Sequence, residues 1–343
     1  SGLDGQGNNI YVRNLIDYRP GDIVPDISPL KMPVDIGQPY GPGDNYFKAG
    51  FGNFFTTYLE GMYTNGLEGE YIYGAHVKHL TSRNGPVDGN NSGSGQNGID
   101  VFGKYFTDAG TLSGTLGYNR QKVHFYGYDS LAAGTEIESD SIEQFYHVFS
   151  GNINFDSQAD LLSSLSYSGG ADFHVLSDNY NASEYSIGLN FRGDYYLMDN
   201  SAISFNAEGI FSQLEDTASI NRSLFRFGGA YEFDNDLFRF TAGANFAYNA
   251  EDNYDGGRFR VYPNIRASYQ VLENTLTAWA HLTGGLEQTT LLQLSRENPW
   301  VGPNLDLLHT DRQFELSAGV NARPLQNVGL SAEAGYSRLK NLY

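Results

Sequence analysis

The sequence predicts an all-β fold: a transmembrane, antiparallel, up-and-down β-barrel of about 14–16 strands. Three observations carry that reading. From residue 97 onward apolar and polar residues alternate. Phe259, Val261, Pro263, Ile265, Ala267, Tyr269 and Val271 share one face, and Arg258, Arg260, Tyr262, Asn264, Arg266, Ser268 and Gln270 share the other. Period two means a strand with one apolar and one polar face. The connections between such strands alternate short and long, and the apolar faces carry aromatic residues near their ends.

The elements follow in order. Residues 1–43 are rich in Pro, Gly and Asp, as in Arg19-Pro20-Gly21-Asp22, and read as an extended segment, periplasmic or inside the barrel. Residues 44–343 form the barrel. Segments 46–51 and 56–63 are two strands around Gly52-Asn53 or one long strand; a periplasmic N-terminus favours two. Strand 71–80 follows. Strands 99–106 and 112–125 meet at Thr107-Asp108-Ala109-Gly110, and strands 145–155 and 161–175 at Asp156-Ser157-Gln158. Strand 185–197 turns at Met198-Asp199-Asn200 into strand 203–211. Strands 225–233 and 238–248 flank Asp234-Asn235-Asp236. Strand 259–271 turns at Leu272-Glu273-Asn274 into 276–286, and 314–322 meets 328–336 at Leu325-Gln326-Asn327. Every tight turn contains Asp or Asn, residue types that close hairpins.

The connections 83–96, 127–141, 177–183, 212–221, 250–257 and 287–310 are read as the longer, extracellular ones. A β-propeller shares the hairpin repeat, but its inner strands are apolar on both faces and its blades carry a recurring signature; neither appears. The count comes to about fifteen strands, and bacterial single-chain barrels close with an even number, so further strands are expected beyond this sequence.

Composition agrees with a barrel. The chain has 343 residues, 25 Tyr, 22 Phe and 41 Gly, and a mean hydropathy of −0.41. No run approaches the roughly 18 apolar residues of a membrane helix. Barrels hide apolar residues at every second position, and aromatics form girdles at both interfaces. The absence of cysteine excludes a disulfide scaffold and a thiolate metal site. A net charge of −19 excludes a nucleic-acid partner, which needs a basic face.

Candidate functional residues lie in the lumen and in one connection. On the face assignment above, Arg226, Arg239, Arg258, Arg260 and Arg266 point inward, and Glu208 and Asp194 point inward from the two preceding strands. A basic wall beside an acidic one selects permeating solutes, or the two pair and hold the wall together. Connection 287–310, with Arg296, Trp300, Asp306 and His309, folds into the pore, caps it, meets a partner, or is an ordinary surface loop. Asp252 and Asp255 are the only weak candidates for a Ca²⁺ site. No cofactor is expected. No nucleophile elbow, phosphate loop or metal-helix motif occurs, so no enzyme is expected.

Some stretches also carry a resemblance. Tyr46-Phe47-Lys48-Ala49-Gly50-Phe51-Gly52-Asn53-Phe54, Tyr73-Gly74-Ala75-His76-Val77-Lys78-His79-Leu80, Gly103-Lys104-Tyr105-Phe106 and His124-Phe125-Tyr126-Gly127-Tyr128 resemble Bacteroidota outer-membrane proteins of the TonB-dependent-receptor-like kind. The resemblance covers residues 30–130 and implies address and architecture more than activity. The family's TonB box and plug domain have no counterpart here. Two functions are therefore expected: a porin- or receptor-like pore for solutes, or an accessory barrel of a larger outer-membrane complex with an occluded lumen. Expected partners are outer-membrane lipid and lipopolysaccharide, with periplasmic or outer-membrane proteins.

Overall fold

The computed structural model describes residues 45–66, 69–126, 137–157, 164–198, 200–252, 254, 256–302, 305, 307–325 and 327–342. The Pro- and Gly-rich lead at 1–43 lies outside them. No helix among the described residues is long and apolar enough to cross a membrane.

The described residues form one antiparallel sheet of sixteen strands. The first six are β1 (Tyr46–Gly52), β2 (Thr56–Thr64), β3 (Tyr71–Ser82), β4 (Ser94–Thr107), β5 (Gly110–His124) and β6 (Glu143–Ser157). Then come β7 (Leu165–Asp178), β8 (Ser183–Met198), β9 (Ser201–Glu215) and the short β10 (Ser219–Asn221). The rest are β11 (Leu224–Asp234), β12 (Phe238–Asn249), β13 (Phe259–Leu272), β14 (Leu276–Glu287), β15 (Thr310–Leu325) and β16 (Val328–Lys340). Each strand pairs with its neighbours in sequence from β1 to β16, except that β10 folds back on β9 and β11 pairs with β9. This is up-and-down barrel topology.

The two faces segregate as the alternation requires. Val261, Ile265 and Tyr269 of β13 are exposed on the outer face, whereas Tyr262, from the opposite set, is 3% exposed. Cross-strand aromatic pairs cover the outer face. Phe227 and Phe246 stack at 4.9 Å, Tyr71 and Tyr105 at 4.8 Å. Such pairs contribute roughly 0.5–1.5 kcal/mol each beyond the area they bury.

The register also marks the height of the apolar band. Tyr118, Phe149, Val175 and Tyr185 are successive partners across β5–β8. One step beyond them lies a polar row: His79, Asn97, Arg120, His147 and Ser177. At the other end, Tyr195, Ile203 and Tyr231 form the matching rim. Tyr195 lies ten positions along β8 from Tyr185, which for a tilted strand is about 25 Å of apolar wall.

Several expected boundaries move. Segments 46–51 and 56–63 are two strands, paired Tyr46↔Met62 through Gly52↔Thr56. Of the expected turn Asp156-Ser157-Gln158, Asp156 and Ser157 belong to β6, with Asp156 opposite Ser168, and β7 spans Leu165–Asp178; Gln158 and the expected strand start at 161 lie outside the described residues. Connection 177–183 shortens to the turn 179–182, β7 and β8 pairing up to Ser177↔Ser183, and 212–221 is largely strand, β8 and β9 pairing up to Ser183↔Glu215 and β10 covering Ser219–Asn221. Beyond the apolar band the outer face need not be apolar, so the alternation fades while the hydrogen-bond ladder continues.

The face assignment predicts asymmetric tolerance at neighbouring positions. Leu189→Arg, on the outer face at mid-height, should cost roughly 2–4 kcal/mol of insertion free energy, whereas Asn190→Arg should insert normally. Heat-dependent gel mobility after folding into lipid vesicles measures both. Equal tolerance would refute the assignment.

Candidate functional site

The inner face is not uniformly polar. At one level of the wall the inward residues run Glu60, Lys78, Gly98, Asn119, Val148, Leu176, Glu184 and Leu214 across β2–β9. The left half is polar; the right half is mostly apolar. Connection 288–309 folds inward onto the apolar half. Its helix α1 (Leu291–Glu297) packs Leu291 and Leu292, together with Leu307, against Tyr146, Val148, Leu176, Ala182 and Leu214.

Local chemistry starts the helix. The Thr290 side chain accepts a hydrogen bond from Gln293 N at 2.9 Å, and Thr290-x-x-Gln293 is a capping-box spacing. The remaining first-turn amides are satisfied from the wall. Glu184, fully buried on β8, accepts from Leu291 N at 2.8 Å and from Leu292 N at 3.2 Å. His174 Nε2 lies 2.9 Å from Glu184 Oε1. A buried carboxylate holding two helix amides fixes where the connection sits.

A second buried cluster holds the ends of the connection. Arg222, 1% exposed, donates from Nε to Glu251 Oε1 at 2.9 Å and from Nη1 to Thr289 O at 2.7 Å. His309 donates from Nε2 to Arg222 O at 3.0 Å and accepts at Nδ1 from Thr289 N at 3.3 Å. That pattern fixes the neutral Nε2–H tautomer. Burial holds the His309 pKa down at about 4, against the opposing pull of Glu251. Trp300 Nε1 donates to His124 O at 2.9 Å, and its ring meets Tyr126 edge-on at 5.5 Å. His124 in turn contacts Gly93 O and Ser139 Oγ. Three long connections are thereby tied together at one end of the wall.

The lumenal charges largely pair. Arg226 Nη2 is 2.6 Å from Glu208 Oε2, and Nη1 donates to Leu286 O at 3.0 Å. Arg239 pairs with Asp234 at 2.8 Å beside the short turn. Arg260 lies 3.4 Å from Asp311 and also contacts the Tyr254 hydroxyl. Asp194 pairs with Arg192 of its own strand at 3.3 Å, not with the arginines of later strands. Arg266 stands opposite Thr241 and His281 in the register. Arg258 precedes β13 instead of lying on it, and is exposed. Arg296 is exposed on α1, Trp300 is 43% exposed, and His309 is buried. Asp306 and Asp255 lie outside the described residues. Asp252 accepts from Asn221 N at 3.0 Å. Among the described residues no group of three or more His, Cys, Asp or Glu converges in a way that could hold a metal ion.

The sequence carries no sign of the roles of Glu184, Arg222 and Glu251: Glu184 on β8 reads as an ordinary lumenal carboxylate, and Arg222 and Glu251 read as ordinary charges of connections. The helix did leave a signal: Thr290-x-x-Gln293, with Leu291, Leu292 and Leu294 in the same turn.

No family model matches the chain, and no curated protein matches it. Solved structures do. The FrpB iron transporter from Neisseria meningitidis matches with a TM-score of 0.65 at 10% identity, over 88% of this chain and 56% of that one. The ferric enterobactin receptor PfeA from Pseudomonas aeruginosa matches at 0.60 and 12%, over 83% and 50%. The ferric yersiniabactin uptake receptor FyuA from Yersinia pestis matches at 0.60 and 10%, over 89% and 56%. The chain thus spans about half the length of the structures it matches, and the likeness is one of fold.

Two outcomes test the docked connection. Glu251→Ala leaves Arg222 buried without its carboxylate and should cost about 3–5 kcal/mol, read from urea denaturation. Lowering the pH should loosen the connection. The His309 pKa lies below the ordinary value near 6.5, so between about pH 6.5 and pH 4 the undocked state binds a proton that the docked state does not. Docking is strongest above that window and weakens as pH falls through it. Trp300 fluorescence in a Trp279→Phe background should report the change, and His309→Gln should flatten it.

Proposed function

We propose that the chain is the wall of an outer-membrane β-barrel that carries solutes across that membrane as a receptor-like pore. The short-turn end would face the periplasm and the long connections the exterior. The carrying observation is the inward connection: α1 is seated on the lumenal face and fastened by Glu184, which suits a restricted, selective passage better than a wide porin. The solved transporters and receptors of like fold support the general reading. The resemblance of residues 30–130 to Bacteroidota TonB-dependent-receptor-like proteins supports it from the sequence.

In this reading the pairs Arg226–Glu208 and Arg260–Asp311 brace the wall near the docked connection, and Arg258 and Arg266 contribute to the lumenal field that sets solute preference. Arg120 lies over the Phe145 ring at 5.0 Å and belongs to the outward polar row just beyond the aromatic rim. It would face lipopolysaccharide headgroups. The alternative, an accessory barrel in a larger assembly, draws on the same docked connection, since an occluded lumen needs no solute.

Planar-bilayer recording of the full protein separates the two. A transporter should give low conductance that rises when Glu184→Ala frees α1, with ion preference altered by Arg258→Ser. A bilayer that stays silent in both forms, with insertion verified, would favour the accessory reading.

A further inference from the structure

With α1 seated on the apolar half of the inner wall, a cavity remains between the helix and the polar half. It measures about 240 Å³, and its lining includes Lys78, Gln96, Asn119, Gln121, Ser295 and Arg296. Lys78 from β3 and Arg296 from α1 reach it from opposite sides; Arg120 of β5 also belongs to the lining, with its guanidinium over the Phe145 ring.

Among the described residues neither Lys78 nor Arg296 is paired with a carboxylate. Lys78 stands across from Glu60 in the register, yet the Glu60 carboxylate is already engaged. Tyr46 OH donates to it at 2.8 Å, Tyr58 OH donates to it as well, His76 Nε2 lies at 3.1 Å and Lys48 at 3.8 Å. Asp100, the carboxylate in the lining, lies 3.8 Å from His76 Nδ1. Among the described residues Lys78 and Arg296 have no hydrogen-bond or ion-pair partner. Glycines keep the space open. A Cβ at Gly98 would strike Asn119 Oδ1, and one at Gly117 would strike Asp100 Oδ1, so these side chains lie flat along the wall.

We propose that this cavity is a binding site for a small solute bearing a carboxylate or a phosphate. Arg296 offers a planar fork that suits either oxyanion, and Lys78 a point charge. The amides of Gln96, Asn119 and Gln121 offer further N–H donors. An occupant bridges β3 and α1 and so adds to the docking of the connection. The inference rests on the transport reading in that the solute arrives through the lumen.

The test is calorimetric titration of the detergent-solubilised full protein at low ionic strength, with citrate, with inorganic phosphate and with glucose as neutral comparator. Saturable binding of citrate or phosphate, but not glucose, is expected, and the preferred anion identifies the headgroup chemistry. Lys78→Gln and Arg296→Gln should each weaken it about tenfold, with folding checked by heat-dependent mobility. Absence of saturable anion binding to folded wild-type protein, or unchanged isotherms in both variants, would overturn the proposal. Anion binding in a protein that stays silent in bilayers would keep the site and remove the transport reading; conductance without anion binding would do the reverse.

Discussion

In the hydrocarbon of a bilayer a backbone amide has no water to turn to, and every N–H and C=O must find its partner within the protein. A strand satisfies that demand only through its neighbours, so the ladder from β1 to β16 has to be continuous through the apolar band. Once the ladder is fixed, side chains must alternate. Phe, Tyr, Leu and Val go outward, and whatever else the sequence holds goes inward. The rims of Tyr118, Phe149 and Tyr185 at one end and Tyr195 and Tyr231 at the other follow from that single constraint. So does the polar row immediately beyond the first rim.

The constraint leaves the lumenal face free, and the chain uses that freedom. Tyr146, Val148, Leu176 and Leu214 sit at inward positions that need not be apolar, and they form a dry seat for α1. Apolar burial alone would leave a seven-residue helix with unsatisfied first-turn amides. Glu184 and Thr290 satisfy them. At the other anchor, Arg222, Glu251 and His309 form a cluster with hardly any solvent contact. Such a cluster contributes less to net stability than its contacts suggest, because desolvation offsets much of the attraction. Its effect is positional: removing one member strands the others, so the connection has one favourable docked arrangement.

That arrangement divides the lumen. On the apolar half the helix fills the space; on the polar half a cavity remains. Deeper in the wall Arg226–Glu208 and Arg260–Asp311 brace different strands, while Lys78 and Arg296 line the cavity with no ion pair among the described residues. The electrostatically active part of the lumen is therefore the space beside the docked helix more than the row of arginines on β11–β13.

The fold was legible in the sequence because period-two alternation is written residue by residue: the β13 pattern Phe259 to Val271 reads directly as a strand with a lipid-type face. Strand ends were less legible. Above the apolar band the ladder of β7, β8 and β9 continues through Ser177, Ser183 and Glu215 without any need for apolar residues, so the pattern stops before the strand does. The site was least legible. The spacing Thr290-x-x-Gln293 suits a helix start, yet 287–310 reads as a connection, and nothing local tells Glu184 from any other lumenal carboxylate, or Arg222 from any other loop arginine. Their roles depend on residues 107 and 29 positions away, Leu291 and Glu251. The sequence by itself determined the up-and-down order of the long strands and which face of each is apolar, because those follow from local periodicity under one solvent constraint. Tertiary structure alone decided which lumenal charges pair, where the long connection docks and which side chains line the cavity beside it, because those depend on distant chain segments meeting inside the barrel.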